Sequence, residues 1–181
     1  MRVIAGSLKG RRLDAPAWSG LRPTADKLRE TLFNVLAPRI SGARVLDGYA
    51  GTGAVGIEAL SRGAAEVTFI ERDRRAELLI ARNLARCGVT RGCVIIRASV
   101  ARAADELRRA GRVFDVVVLD PPYDLPPGDA IAAPAALLAP GGVLVLEHAT
   151  QQPSPERVNA LTRTRQIVSG DSTLSFYSCL P

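Results

Sequence analysis

From Gly42 onward, short apolar runs alternate with amphipathic stretches. Arg44–Asp47 predicts a strand, Ala54–Arg62 a helix closed by Gly63, Glu66–Glu71 a second strand and Arg74–Arg86 a helix ending before Gly88. Cys93–Arg97, Val100–Arg109, Phe114–Asp120, Ala130–Leu138 and Val143–Glu147 continue the rhythm. Runs such as Val116–Leu119 are apolar at every position, as a strand is when both its faces are covered. Such strands interleaved with helices predict a parallel sheet with helices on both sides. The end of the chain breaks the rhythm. Thr162–Val168 and Thr173–Cys179 are separated only by Ser169-Gly170-Asp171-Ser172, a connection that permits only an antiparallel hairpin.

Upstream, Arg2–Ala5 and Arg11–Asp14 are short strand candidates joined through Gly6 and Gly10, which predicts a hairpin. A helix follows, with Thr24 as its N-cap, Leu28, Leu32, Val35 and Leu36 as its apolar stripe, and Pro38 as its stop. Charge sets this segment apart. Residues 1–44 hold nine basic side chains against Asp14, Asp26 and Glu30, which equals the full formal charge of +6. The other residues carry fifteen basic and fifteen acidic groups. A basic extension (1–44) on a neutral body (45–181) is the footprint of a polyanionic partner.

Composition narrows the class further. With 47% hydrophobic and 23% charged residues in 181, the chain can bury a core, which excludes disorder throughout. No apolar run approaches the ~18 residues of a membrane span. The first residues lack the apolar core of a secretory signal, and Cys87, Cys93 and Cys179 show no metal-type spacing. A cytoplasmic protein without a disulfide framework is expected.

The first strand runs into Asp47-Gly48-Tyr49-Ala50-Gly51-Thr52-Gly53-Ala54-Val55-Gly56. Glycine is required where backbone turns sharply or approaches a ligand more closely than a Cβ permits. The spacing Gly51-x-Gly53-x-x-Gly56 also fits a nicotinamide dinucleotide fingerprint. There, however, the first glycine follows the strand at once and amides face a pyrophosphate. Here Asp47 ends the strand and the loop runs four residues further, which suits a ligand without phosphate. The Asp47 carboxylate can hold a cationic amino-acid moiety or order the loop. Glu71, at the tip of the second strand, can accept both hydroxyls of a ribose. A nucleoside-type cofactor is expected, with Tyr49, Ala50 and Arg72 beside the glycines.

Asp120-Pro121-Pro122-Tyr123 ends the fourth strand, on the sheet edge where open α/β folds bind ligands. Consecutive prolines fix the loop and donate nothing. The Asp120 carboxylate and the Pro121 carbonyl therefore form an acceptor-only corner that fits one planar NH₂ group. Tyr123 offers a ring on which an extruded base can stack.

Together, Asp47–Gly56, Glu71 and Asp120–Tyr123 resemble the class I S-adenosylmethionine-dependent methyltransferases, in the branch that methylates exocyclic amines of nucleobases. Arg2-Val3-Ile4-Ala5-Gly6 with Gly10-Arg11, Leu21-Arg22-Pro23-Thr24, Arg29-Glu30-Thr31-Leu32-Phe33-Asn34 and Gly170–Tyr177 resemble the bacterial 16S ribosomal RNA guanine-N2 methyltransferases. The resemblance covers essentially the whole chain. It implies a doubly wound, Rossmann-like α/β fold whose seven-stranded sheet takes its last strand antiparallel. It also implies S-adenosylmethionine as cofactor, no metal, and a guanine 2-amino group as acceptor, with Asp120, Pro121, Pro122 and Tyr123 catalytic. Ser99 falls beside the cofactor adenine, where related enzymes often carry Asp or Asn. Arg2, Lys9, Arg11, Arg12, Arg22, Thr24 and Arg29 are assigned to ribosomal RNA, within a small-subunit particle, by a monomeric enzyme. Arg22 and Arg29 have an alternative, pairing with Asp26 or Glu30.

Other readings use the same residues. The tetrad alone also fits a DNA methyltransferase acting on adenine or cytosine amines. The fold could serve a protein or small-molecule methyltransferase, which the basic block disfavours, or a non-catalytic RNA-binding or ribosome-assembly factor, which the intact tetrad disfavours. Methylation at cytosine carbon 5 usually needs a cysteine after proline, whereas Cys87, Cys93 and Cys179 follow Arg, Gly and Ser. His148, the single histidine, reads as a structural residue.

Overall fold

In the computed structural model, residues 1–16 and 26–179 are described. Five strands, β1 (Arg44–Gly48), β2 (Glu66–Glu71), β3 (Cys93–Arg97), β4 (Phe114–Leu119) and β5 (Leu138–Ala149), pair in parallel. Beyond them lie β6 (Arg157–Val158), β7 (Leu161–Ser169) and β8 (Ser172–Cys179), and the sheet order is β3-β2-β1-β4-β5-β8-β7-β6. The last strand, β8, inserts antiparallel between β5 and β7, as the sequence implies. The sheet has eight strands rather than seven because the two-residue β6 adds to the edge of β7.

Alternate side chains on each strand feed two cores. Val45, Val67, Phe69, Val116, Val118 and Val145 pack against α1 (Asp26–Ile40), α2 (Ala54–Ser61) and α3 (Arg74–Arg86). Leu46, Ile70, Val117, Leu119, Leu144 and Leu146 face α4 (Val100–Arg109) and α5 (Pro127–Ala132). Among the described residues, no helix is long and apolar enough to cross a membrane.

Several elements depart from the sequence expectation. Pro38 lies inside α1 instead of ending it, and the helix continues until Ile40 is buried. Proline there costs a single hydrogen bond, in the last turn. Phe33 is fully buried while Val35 is only half-buried, so the apolar face is rotated from the expected stripe. The stretch 130–138 is not one helix. Pro134 breaks it into α5 and a 3₁₀ turn, Pro134–Leu137, and β5 begins at Leu138. The N-terminal hairpin forms, but its ladder is short: around the antiparallel bridge of Arg2 with Arg12, the Val3 amide donates to the Arg11 carbonyl (2.9 Å), the Gly10 amide to the Val3 carbonyl (2.9 Å) and the Leu13 amide to the Met1 carbonyl (3.1 Å). The N-cap assigned to Thr24 lies outside the described residues.

What the hairpin lacks in ladder bonds it recovers from α2. The buried Glu58 carboxylate accepts the amides of Ile4 (2.7 Å) and Ala5 (3.0 Å) and pairs with Arg62 at 2.7 Å. Ser61 accepts the Leu8 amide at 2.9 Å. Gly6, at φ +84°, lies so close to α2 that a Cβ would fall 1.9 Å from the Ser61 carbonyl oxygen.

Candidate active site

β1 runs one residue past Asp47, to Gly48, and the chain must turn before α2. Gly53 makes that turn at φ +76° and occupies the N-cap position without a capping side chain. Asp47 does the capping from the strand, since its Oδ2 accepts the Gly56 amide at 2.8 Å. The carboxylate thus satisfies an orphan donor at the positive end of the helix. Burial holds the Asp47 carboxyl well above the usual carboxylate range, and the charges of Asp120 and Glu71 push the same way against the Gly56 bond. Of the two roles left open for Asp47, ordering the loop is visible in the fold. Gly53 and Gly56 shape the loop without lining the cavity. A Cβ on Gly56 would fall 2.2 Å from the Phe69 ring, so the glycine lets α2 lie against β2.

Glu71 closes the other side of the loop. Its Oε2 accepts the Gly51 amide at 2.9 Å and its Oε1 the Asp73 amide at 2.8 Å. Each oxygen keeps a further lone pair for a ligand hydroxyl. Tyr49 sits at φ +64°, an uncommon conformation for a residue with a side chain, and burial raises its phenol pKa. Ser99 caps α4, accepting the Arg102 amide at 3.4 Å.

Asp120–Tyr123 ends β4 one strand away. The Tyr123 hydroxyl lies 3.3 Å from the Ser172 hydroxyl at the start of β8, and the Gln152 side chain donates to the Tyr123 carbonyl at 2.9 Å. Both loops open on one cavity of about 1020 Å³. It gathers Asp47, Tyr49, Ala50, Gly51, Glu71, Arg72, Ser99 and the whole tetrad. Eight carboxylates line it (Asp47, Glu71, Asp73, Asp120, Asp124, Asp129, Glu147 and Asp171) against Lys27, Arg72 and Arg75. That balance favours a cationic ligand.

The family model described as "Conserved hypothetical protein 95" matches residues 1–178. The chain belongs to this family. The Bacillus subtilis (strain 168) protein named "Putative rRNA methyltransferase YlbH" is 37% identical over 180 residues, spanning 98% of both chains. Ribosomal RNA small subunit methyltransferase D of Escherichia coli (strain K12) is 44% identical over 123 residues. That alignment takes in 68% of this chain and 60% of the relative's length. A solved structure described as "Putative methyltransferase yhhF from Escherichia coli" superposes with a TM-score of 0.84 at 30% identity, covering 98% of this chain and 96% of that one. The structure of SMU.776 complexed with SAH shares the fold alone, with a TM-score of 0.69 at 14% identity over 83% of this chain and 49% of that one. The fold is the Rossmann-like α/β architecture of the S-adenosylmethionine-dependent methyltransferases, as the sequence resemblance implies.

Within this family member, the residues assigned to RNA divide. Arg2, Lys9, Arg11 and Arg12 are exposed on the hairpin. Arg29 corrects the expectation: it is 0% exposed, and its Nη2 donates to Asp26 (2.9 Å) and to the Arg2 carbonyl (2.7 Å). Its alternative role, pairing with Asp26, is the one the fold realises. Position 29 lies on the packed face of α1, beside Leu28, Leu32 and Phe33. Arg22 and Thr24 lie outside the described residues. His148 is buried, with Nε2 2.8 Å from the Ser175 hydroxyl, as a structural residue should be. None of the three cysteines lines the cavity.

The sequence pattern passes over Lys27, Leu28, Thr52, Glu147, Asp171 and Ser172, all of which line the cavity. Glu147 closes the apolar run Val143–Leu146 as Glu71 and Asp120 close theirs, and that rule would have found it, although β5 itself runs on to Ala149. The contribution of α1 and of the β7–β8 turn carries no local signal, because long-range packing brings them to the cavity.

Proposed function

We propose that this protein transfers the methyl group of S-adenosylmethionine to the exocyclic 2-amino group of a guanine in 16S ribosomal RNA. The observation that carries the reading is that the glycine loop and the Asp120–Tyr123 tetrad open on one cavity lined mainly by carboxylates. Its volume of about 1020 Å³ leaves room for a nucleoside cofactor and one extruded base. The cofactor, when bound, supplies a methyl group already activated by a sulfonium charge. The lining suits that charge: Asp47 and Glu71 stand on the β1–β2 side, and Glu71 retains acceptor capacity for the ribose hydroxyls. The names of the rRNA methyltransferase relatives point to the same substrate class.

The residues of this chain do the rest by positioning. Asp120 and the Pro121 carbonyl accept the two N–H bonds of the target amine and turn its lone pair toward the methyl group. The Tyr123 ring stacks on the base, held at its hydroxyl by Ser172 and at its carbonyl by Gln152. Hydrogen bonds from the amine to Asp120 strengthen as the nitrogen becomes positive, which lowers the barrier for in-line transfer. The proton released from nitrogen passes to the Asp120 carboxylate or to water. Arg2, Lys9, Arg11 and Arg12, within the basic portion 1–44, contact RNA phosphates, and residues 45–181 carry the chemistry. The substrate is RNA within a small-subunit particle.

The test is methylation with labelled donor, offering small-subunit particles, naked 16S RNA or duplex DNA, followed by nucleoside mass spectrometry. N2-methylguanosine from the ribosomal substrates is expected, lost in Asp120→Ala with S-adenosylmethionine affinity retained. Methylated DNA bases, or no product from any substrate, would overturn the reading.

A further inference from the structure

α3 starts at the cavity and ends against the N-terminal hairpin. Arg72, Asp73 and Arg75 at its start line the cavity, and the Arg86 carbonyl at its end accepts the Arg11 guanidinium at 3.3 Å. Its 13 residues span about 20 Å at ~1.5 Å each. One face is spent in the core, through Ala76, Leu79, Ile80 and Leu84. The exposed positions are four arginines (Arg74, Arg75, Arg82 and Arg86), two alanines and Leu78, with no carboxylate among them. Glu77, the single acid of the helix, is half-buried and paired with Arg97 at 3.4 Å. Past Arg86, the α3–β3 connection and the hairpin turn flank a groove lined by Ser7, Leu8, Val89, Thr90 and Arg91.

The other helices differ. On α4 the exposed arginines share the surface with Asp105 and Glu106, and Arg102–Glu106 and Arg108–Asp105 are ion pairs within the helix. α1 exposes Lys27 and Arg39 against Asp26 and Glu30. An arginine-rich composition therefore does not account for the face of α3. Helix stability does not account for it either. Arg74 holds the first position of α3, at the positive end of the helix dipole, where a cation is disfavoured. Arg75 pairs with Asp73 and Arg86 with Asp14, whereas no ion pair among the described residues holds Arg74 or Arg82.

We propose that the exposed face of α3 is a track for the RNA backbone, with Arg74 and Arg82 on phosphates, joining the basic hairpin to the mouth of the cavity. This rests on the RNA reading above. A face that carries only positive charge fits a polyanion, whose counterions are released on contact. A membrane surface would need an apolar stripe beside the charges, and Leu78, 55% exposed, is the one large apolar side chain on this face. Arg74 and Arg82 stand outside the cavity wall, so they hold RNA and not the cofactor. The RNA that delivers its base to the cavity runs down α3 before it reaches Lys9, Arg11 and Arg12.

The experiment compares two double variants that lose the same charge on opposite faces of the sheet. Arg74→Gln with Arg82→Gln clears α3, and Arg108→Gln with Arg109→Gln clears the exposed end of α4. Binding of naked 16S RNA and of small-subunit particles is measured at several salt concentrations, with S-adenosylmethionine affinity and thermal unfolding as checks. The α3 pair should bind RNA more weakly, with a salt slope shallower by roughly 1.4–1.8 log units for two phosphate contacts. Methylation should show the loss in KM for RNA rather than in kcat. Arg74→Lys with Arg82→Lys keeps the charge and should restore most of the slope. The α4 pair should keep the parental slope. A parental slope in the folded α3 pair overturns the proposal and makes this face plain surface. Equal losses in both pairs also overturn it, because net charge and not a path would then govern binding. Loss of particle binding with naked RNA still bound as by the parent overturns it in favour of an acidic protein partner. A parent that binds neither RNA nor particles removes the RNA reading itself, and this proposal with it.

Discussion

Asn83 on α3 clasps the backbone of Asp14 at both ends. Its Oδ1 accepts the Asp14 amide at 2.7 Å, and its Nδ2 donates to the Asp14 carbonyl at 3.2 Å. The same Nδ2 reaches the Thr52 carbonyl in the glycine loop at 2.9 Å. One buried amide therefore ties the basic segment to the loop that lines the cavity. Asn83→Ala should lower stability by ~1–3 kcal/mol, because it strands buried backbone groups at Asp14 and Thr52. It should also weaken S-adenosylmethionine binding, since one edge of the loop is released. Thermal unfolding and calorimetry measure the two effects, and unchanged cofactor affinity would show that the tie does not hold the loop.

Asp47→Asn separates loop order from charge. Asparagine can still accept the Gly56 amide, so the loop should persist. The lost negative charge should weaken S-adenosylmethionine more than S-adenosylhomocysteine, which lacks the sulfonium charge. The pH dependence has a definite sign. Burial raises the folded-state pKa of Asp47, so the folded protein binds this proton more tightly than the unfolded chain. Its contribution is fully present below the ordinary aspartate value of ~3.9 and is lost as pH rises through the folded value. The stability of Asp47→Asn relative to the parent should therefore increase from pH 4 upward. Urea unfolding at several pH values gives the comparison, and a constant difference would contradict the raised pKa.

Gly56→Ala tests the fit of α2 on β2. The added Cβ would fall 2.2 Å from a ring carbon of the fully buried Phe69, and neither partner can turn aside. A loss of ~1–3 kcal/mol in unfolding free energy is expected. Gly10→Ala is a control for space, since a Cβ there meets nothing within 4 Å, although its φ of +82° still carries strain.

Arg29→Met addresses a buried cation that is only half satisfied. Among the described residues Nε and Nη1 have no hydrogen-bond partner, and Asp26, the partner of Nη2, has a side chain that is 52% exposed. Removing the guanidinium leaves an aspartate that water can solvate, so stability should hold or rise. RNA affinity should be unchanged. Weakened RNA binding in a folded variant would return Arg29 to the RNA-facing set.

Arg11 and Arg12 make the opposite case. Both are exposed, and the Arg11 guanidinium donates to the Arg86 carbonyl at 3.3 Å. Replacing both by Gln should weaken RNA binding and flatten its salt dependence by roughly 0.7–0.9 log units for each phosphate that is no longer neutralised. Cofactor affinity should survive. Parallel salt slopes for parent and variant would make these arginines plain surface.

The central sheet is legible in the sequence because most of its strands are apolar on both faces and close on acidic residues. Asp47, Glu71 and Asp120 each follow such a run, and all three line the cavity. Glu58 and Asn83 are not legible in this way. Each is a polar residue on a helix, and the bonds it makes to residues 1–14 come from long-range docking that no local pattern announces. Arg29 misleads for the same reason: a charge count treats every arginine as surface, while the packing of α1 places this one inside. Pro38 shows local preference yielding to tertiary packing, since burial of Ile40 outweighs one missing hydrogen bond in the last turn.

Most of the cavity wall comes from two separate stretches of chain. Asp47 to Ala101 builds the side with the glycine loop and Glu71, and Asp120 to Ser172 builds the side with the tetrad, Glu147 and the β7–β8 turn. They meet along β1 and β4, which join by backbone pairing that any strand sequence can make. On the function proposed above, a gene crossover between the codons for Ala101 and Asp120 would therefore exchange the residues around the target amine as a cassette, while leaving the methyl-donor side and the RNA-contacting residues 1–44 in place. Selection can retune what such an enzyme modifies without rebuilding how it modifies it.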